Sequence, residues 1–130
     1  VKRILTLVAA VSLAGALNAQ DAESLEEQYE VVLPEDAQQC ILPAAPDAIP
    51  EGATLDQLKA AKADVAKFQA AVMTFRDCLA AAEENPANTA GNKQAIIDSY
   101  NYSVEMEERV ANRFNEAVRA YKEAKAAAEG

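Results

Sequence analysis

Residues 54–85 read TLDQLKAAKADVAKFQAAVMTFRDCLAAAEEN, and no glycine or proline occurs from Ala53 to Asn85. Thr54 can cap a helix through its hydroxyl, and Gln57 three residues later completes a capping-box pattern. The apolar positions recur in two heptad series: Leu58, Val65, Val72 and Leu79, then Ala61, Phe68, Phe75 and Ala82. Together they make a stripe of period 3.5, which predicts a helix packed along its length against another.

That partner lies downstream. Asn85-Pro86 stops the first helix, and the stretch to Asn92, with Gly91 in it, reads as a turn. A second helix is predicted from about Lys93 to Ala128. Its stripe is Ile97, Tyr100, Val104, Ala111, Phe114, Val118 and Tyr121, with Ile96 and Val110 beside it. So short a connection makes the helices antiparallel neighbours. Folding about the turn puts Leu79 near Ile97, Val72 near Val104, Ala61 near Phe114 and Leu58 near Val118. Ile96, Met73, Met106 and Val110 fall off this seam, so two hairpins can join as a four-helix bundle.

Upstream, Pro34, Pro43, Pro46 and Pro50 crowd the segment from Pro34 to Gly52. Proline removes an amide donor and biases its predecessor toward extended backbone. Cys40 to Gly52 should therefore run extended, with polyproline character. Cys78 lies about 36 Å up the first helix from Thr54. A polyproline chain from Thr54 back to Cys40 spans about 43 Å. The two lengths match if the segment retraces the helix as a strap, with Ile41, Leu42 and Ile49 in the groove between the helices. A Cys40–Cys78 bridge would then add about 3 to 4 kcal/mol in a chain-entropy treatment. Two free thiols or an intermolecular bridge are the alternatives. The fold class expected is all-α: an antiparallel two-helix hairpin with a disulfide-pinned, proline-rich strap.

The N-terminus bears on those thiols. Lys2 and Arg3 precede an uncharged run, Ile4 to Ala16, and Leu17-Asn18-Ala19 offers a cleavage site before Gln20, with Ala14-Gly15-Ala16 as the alternative. This is the pattern of a secretory signal peptide. An exported chain meets an oxidising compartment, which favours the disulfide. The expected division is a signal peptide at 1–19, an acidic segment at 20–39 and a hairpin domain at 40–130. In the acidic segment, Leu25, Tyr29 and Val32 sit at helical spacing, so it reads as a short helix or as partly disordered. No later segment approaches the ~20 apolar residues of a membrane span. The expected location is periplasmic or secreted, with no stable membrane insertion of the mature chain.

Charge and composition narrow the chemistry. The 130 residues carry a net charge of −9 and no histidine. An acidic surface argues against nucleic acid or an anionic membrane as partner. Without histidine the usual serine and cysteine triads and most zinc sites are lost. Ser12, Ser24, Ser99 and Ser103 lie outside any Gly-x-Ser-x-Gly turn, and no phosphate-binding glycine loop, Cys-x-x-Cys or calcium loop is present. No catalytic residue, cofactor or metal is expected, and the chain reads as a non-enzyme. Glu105–Arg109 and Arg119–Glu123 are spaced as helix-stabilising pairs.

Two positions stand out as candidate contacts. Glu107 breaks the apolar stripe. It reads as a buried carboxylate, or as a side chain that reaches the edge or pairs with an arginine. Tyr100 lies on the stripe and is expected in the core. Tyr102 points elsewhere and is the better candidate for a partner.

The pattern Cys40-Ile41-Leu42-Pro43, Pro50-Glu51-Gly52, Cys78-Leu79, then Phe114-Asn115 and Val118 resembles small exported proteobacterial proteins, over roughly residues 40 to 122. Phe75, three residues before the second cysteine, stands where such proteins carry an aromatic. The resemblance implies a disulfide-pinned helical hairpin of the cell envelope and brings no active site with it. The function expected is that of a non-enzymatic exported protein acting through protein contacts, with an unknown envelope protein or a second copy as partner. The alternatives are a binder of a small apolar ligand in the groove between strap and helices, or a chaperone-like protein.

Overall fold

The computed structural model describes residues 19–130. The expected signal peptide lies outside this range except for its last residue. The described residues form four helices: α1 (Ala19–Tyr29), α2 (Glu35–Gln38), α3 (Leu55–Glu83) and α4 (Ala90–Glu129). No strand occurs among the described residues. The all-α class holds.

The helix boundaries follow from side-chain caps. At the start of α3 the Gln57 amide donates to Thr54 Oγ1 (3.2 Å), and the Thr54 amide donates to Gln57 Oε1 (2.8 Å). The same reciprocal box opens α4: the Asn92 amide donates to Thr89 Oγ1 (3.1 Å) and the Thr89 amide to Asn92 Oδ1 (3.0 Å). This second box was not read from the sequence. It moves the start of α4 to Ala90, so Gly91 sits inside the first turn of the helix. Between the helices, Asn88 Nδ2 donates to the Ala82 carbonyl (2.8 Å) and satisfies one of the acceptors that a helix C-terminus leaves open.

The contacts between α3 and α4 run in opposite order along the two helices. Phe75, Leu79 and Ala82, late in α3, pack with Ile96, early in α4. Phe68 and Val72, earlier in α3, pack with Val110, later in α4, with Val65 and Met106 alongside. The stripe read on α3 is largely the buried one. The stripe read on α4 is corrected: its buried heptad series is Ile96, Ser103 and Val110, and Ile97 and Tyr100 are 44% and 45% exposed. Leu79 therefore meets Ile96, and Val72 meets Val110. Ile96 and Val110, expected off the seam, form it. The reason is Ser103. A hydroxyl does not register in an apolar pattern, yet here it is fully buried. Its burial is permitted because it accepts from Arg76 Nε (2.9 Å) and donates to the Tyr100 carbonyl (2.6 Å).

The N-terminal segment docks on the connection end of α3 and α4. A Cβ on Gly91 would collide with the backbone carbonyl of Glu30, so only glycine lets the two backbones approach there. Asn92 Nδ2 donates to the Val32 carbonyl (2.8 Å), and Asn85 Nδ2 donates to Asp36 Oδ2 (2.7 Å). In α2, Ala37 is buried against Phe75, Leu79, Ala82 and Ile96, with Leu33 and Cys40 packed beside it.

Cys40 and Cys78 are joined in a disulfide, with Cα atoms 5.6 Å apart. Beyond the bridge, residues 41–50 form no helix. A turn at Glu51-Gly52, with Gly52 at φ +69°, delivers the chain to α3. That φ is in the left-handed region that favours glycine. The expected packing of Ile41 is corrected: it is 83% exposed, whereas Leu42 is at the margin of exposure and Ile49 is partly buried. Side chains of an extended chain alternate in direction. With Cys40 turned inward to its bridge, Ile41 must turn outward.

Candidate functional site: the groove beside the disulfide

The bridge holds one wall of a groove. Leu33, Ala37, Gln38, Cys40 and Leu42 form this wall. Phe75 and Leu79 of α3 form the floor, and Asp98, Ser99 and Tyr102 of α4 form the opposite wall. The groove encloses about 400 Å³ and its surface is mainly apolar. Each wall has a local cause. The Cys40 bond fixes residue 40 against α3, and Ala37 seats α2 in the core. On α4, Ser99 Oγ donates back to the Ala95 carbonyl (2.9 Å), so its polar atom is already satisfied. Asp98 accepts from Gln94 Nε2 (2.8 Å) and is held at the rim.

Tyr102 is half exposed and stands at this rim. The Arg109 guanidinium carbon sits 5.8 Å from the centre of its ring. Cation–ring contact at an exposed site contributes about 0.5 to 1 kcal/mol, enough to bias the ring's orientation. Arg109 is thus turned toward Tyr102. The expected Glu105–Arg109 and Arg119–Glu123 pairs do not form among the described residues, whose ion pairs are Lys59–Asp56, Lys67–Asp64 and Arg76–Glu107.

Glu107 lies away from the groove. Its Oε2 is 2.7 Å from Arg76 Nη2, and both side chains are mostly buried. Of the two readings of this residue, the arginine pair is the one found. The contact is not aligned as a hydrogen bond, since Arg76 Nη2 is buried without an acceptor. The Arg76 guanidinium also lies over the Tyr100 ring, 5.3 Å from its centre. Tyr100, expected in the core, is therefore a half-exposed cover for a cation. Arg76 links Tyr100, Ser103 and Glu107 across the seam. It was not singled out in the sequence, although the break at Glu107 on an antiparallel partner was the signal for it.

A second cleft, of about 190 Å³, lies where Pro46, Ile49 and Pro50 face Ala61 and Val65 of α3 and Val110 and Arg113 of α4. It is smaller than the ~300 Å³ at which small-molecule sites begin. No group of three or more histidine, cysteine or acidic side chains converges in a metal-binding arrangement among the described residues. No protein-family model, curated protein or solved structure matches the chain, so the resemblance to small exported proteobacterial proteins rests on its sequence motifs alone.

Proposed function

We propose that the chain is a non-enzymatic exported protein that binds a partner protein through the groove beside Cys40–Cys78. In this reading α3 and α4 are a heptad-packed hairpin and residues 40–53 are a strap whose task is to hold the groove's outer wall. The observation that carries it is the groove itself: an apolar floor of Phe75 and Leu79 left open between Leu42 and Tyr102, on a chain with no catalytic constellation in its sequence. Tyrosine is enriched in protein contacts and among the residues that carry their binding energy. Location in the periplasm or outside the cell, after removal of the leader near Ala19, is supported by the disulfide. No described helix is long and apolar enough to cross a membrane, which accords with it.

A photo-crosslinking amino acid at position 102, with the protein expressed in its own host, tests the reading. One discrete envelope protein should be captured, and Leu42→Asp should abolish the adduct while leaving the melting temperature unchanged. Absence of any adduct, or an adduct indifferent to Leu42→Asp, refutes it. The groove's volume falls within the range of small-molecule sites and favours a second reading, a small apolar ligand. Native mass spectrometry separates the two, because a retained ligand adds a defined mass that Leu42→Asp removes.

A further inference from the structure

Charge is distributed unevenly along the molecule, and the groove lies at the acidic end. Residues 21–36, which dock at the connection between α3 and α4, hold seven acidic residues and no lysine or arginine. The adjoining ends of the two long helices add Asp77, Glu83, Glu84 and Asp98. The cations in those helix ends are Arg76 and Lys93, and Arg76 is already paired with Glu107 (2.7 Å). The other eight lysines and arginines of residues 19–130 fall within 59–67 and 109–125. Antiparallel packing gathers those two stretches toward the Thr54 end.

Negative charge also surrounds the groove itself. Asp98 is the one charged residue that lines it. Asp36 precedes Ala37 of the groove wall, and Glu105 follows Tyr102 by three residues, on the same side of α4. All three carboxylates are exposed, and none is in an ion pair among the described residues. Asp98 and Asp36 accept instead from the side-chain amides of Gln94 and Asn85, which leave the charge uncancelled. At the rim the opposing charge is Arg109, whose guanidinium sits over the Tyr102 ring. One cation thus stands against three carboxylates around an apolar floor.

We propose that the groove takes a basic, apolar segment of its partner. Apolar side chains of that segment seat on Phe75 and Leu79, and lysine or arginine flanking them lies against Asp98, Asp36 and Glu105. This rests on the reading of the groove as a partner site and names the chemistry of what enters it. A cleft lined by one sign of charge concentrates ligands of the other sign. An acidic segment with the same apolar residues would be repelled, and a neutral one would gain nothing from the field. Because the carboxylates are exposed, they act on encounter and selectivity, and the apolar anchor supplies the burial.

Fluorescence anisotropy of the oxidised protein tests this with three labelled peptides: Lys-Lys-Leu-Phe-Lys-Lys, Ser-Ser-Leu-Phe-Ser-Ser and Glu-Glu-Leu-Phe-Glu-Glu. The lysine peptide should bind about tenfold more tightly than the serine peptide, and the glutamate peptide should not bind. Raising salt from about 20 to 500 mM should remove most of that difference. Leu42→Ser removes an apolar wall without changing the charge, and should weaken the lysine peptide about tenfold. Asp98→Asn keeps an acceptor for Gln94 and should weaken it about threefold. Glu129→Gln removes the same charge at the far end of α4 and should leave the affinity unchanged.

Equal affinity for the three peptides overturns the proposal, as does binding by none of them. Binding of the lysine peptide that is indifferent to both Leu42→Ser and Asp98→Asn overturns it too, since charge alone then holds the peptide outside the groove. The two readings fail separately. If the peptides fail while a crosslinker at position 102 still captures a partner in the host, the charge assignment alone is lost. If position 102 captures nothing, the groove reading itself is lost.

Discussion

The end of the molecule near the connection between α3 and α4 and the end near Thr54 use the same two helices but are held very differently. Near the connection, Phe75, Leu79, Ala82 and Ile96 are buried together, Ala37 closes the cluster from outside, and the disulfide attaches beside Leu79. Asn85 and Asn92 bond the N-terminal segment, and Asn88 caps α3. Toward the other end, Leu58 is the one buried apolar residue of α3 before Phe68, and α4 has none beyond Val110. Alanine fills many of the intervening positions, and it favours the helix while contributing little burial. The contrast separates two sources of order. One end is helical because it is packed, the other largely because its residues prefer helix and are capped. Amide exchange should follow this division, slowest around residues 72–82 and 96–103, and fastest beyond residue 118.

The largest expected effect comes from removing the covalent tie at the packed end. Replacing both Cys40 and Cys78 with serine, or reducing the bond, should cost about 3 to 4 kcal/mol, read as a lower urea midpoint. If the midpoint stays put, α2 and the residues around Cys40 are held by Ala37 and the asparagine bonds alone. Next in size is a paired truncation. Leu79→Ala should cost about 3 kcal/mol, because the disulfide and Ala37 stop the site from collapsing. Leu58→Ala should cost about 2 kcal/mol or less, since fewer elements surround it and they can close the gap. Equal losses would erase the difference between the two ends.

Gly91 offers a finer probe. An alanine there cannot coexist with the Glu30 carbonyl in place. It also improves helix propensity by up to about 1 kcal/mol. Gly91→Ala should therefore release residues 24–32 from protection in hydrogen exchange while changing the global unfolding free energy by less than about 1 kcal/mol. A large global loss would show that the N-terminal segment is integral to the core.

These regions also differed in what their sequence disclosed. The α3 stripe was legible because its apolar residues repeat without interruption from Leu58 to Ala82, and six of them are buried. The phase of α4 was not, because the seam passes through Ser103 while Ile97 and Tyr100, both apolar in kind, lie one step outside it. A polar residue satisfied by a long-range bond to Arg76 leaves no trace in a hydropathy pattern. The pairing of Cys40 with Cys78 was readable from the number of cysteines and from chain lengths. The docking of residues 30–38 was not, since it depends on a missing Cβ at Gly91, two asparagine side chains and one alanine. Of the groove, Tyr102 was picked out because it lies off the apolar stripe. Its partner across the gap, Leu42, was expected in a groove but one between the helices.

The smallest test uses the two capping boxes, which are chemically alike and sit at opposite ends of the molecule. Thr54 and Thr89 each accept from the third helical amide, and each receives a side chain back on its own amide. Loss of such a cap costs about 1 kcal/mol. Thr89 opens α4 two residues before Gly91 and three before Asn92, where the N-terminal segment is bound. Fraying there cannot occur without disturbing that segment, so the whole cost of Thr89→Ala should appear in global unfolding. Thr54 opens α3 where little is packed, and its helix can fray one turn with the rest intact. Thr54→Ala should then lower the global value by about 0.5 kcal/mol or less, with the deficit visible as faster exchange of the amides near Leu58. Equal global losses at the two threonines would mean that the Thr54 end is as cooperative as the disulfide-bound one, despite its thin core.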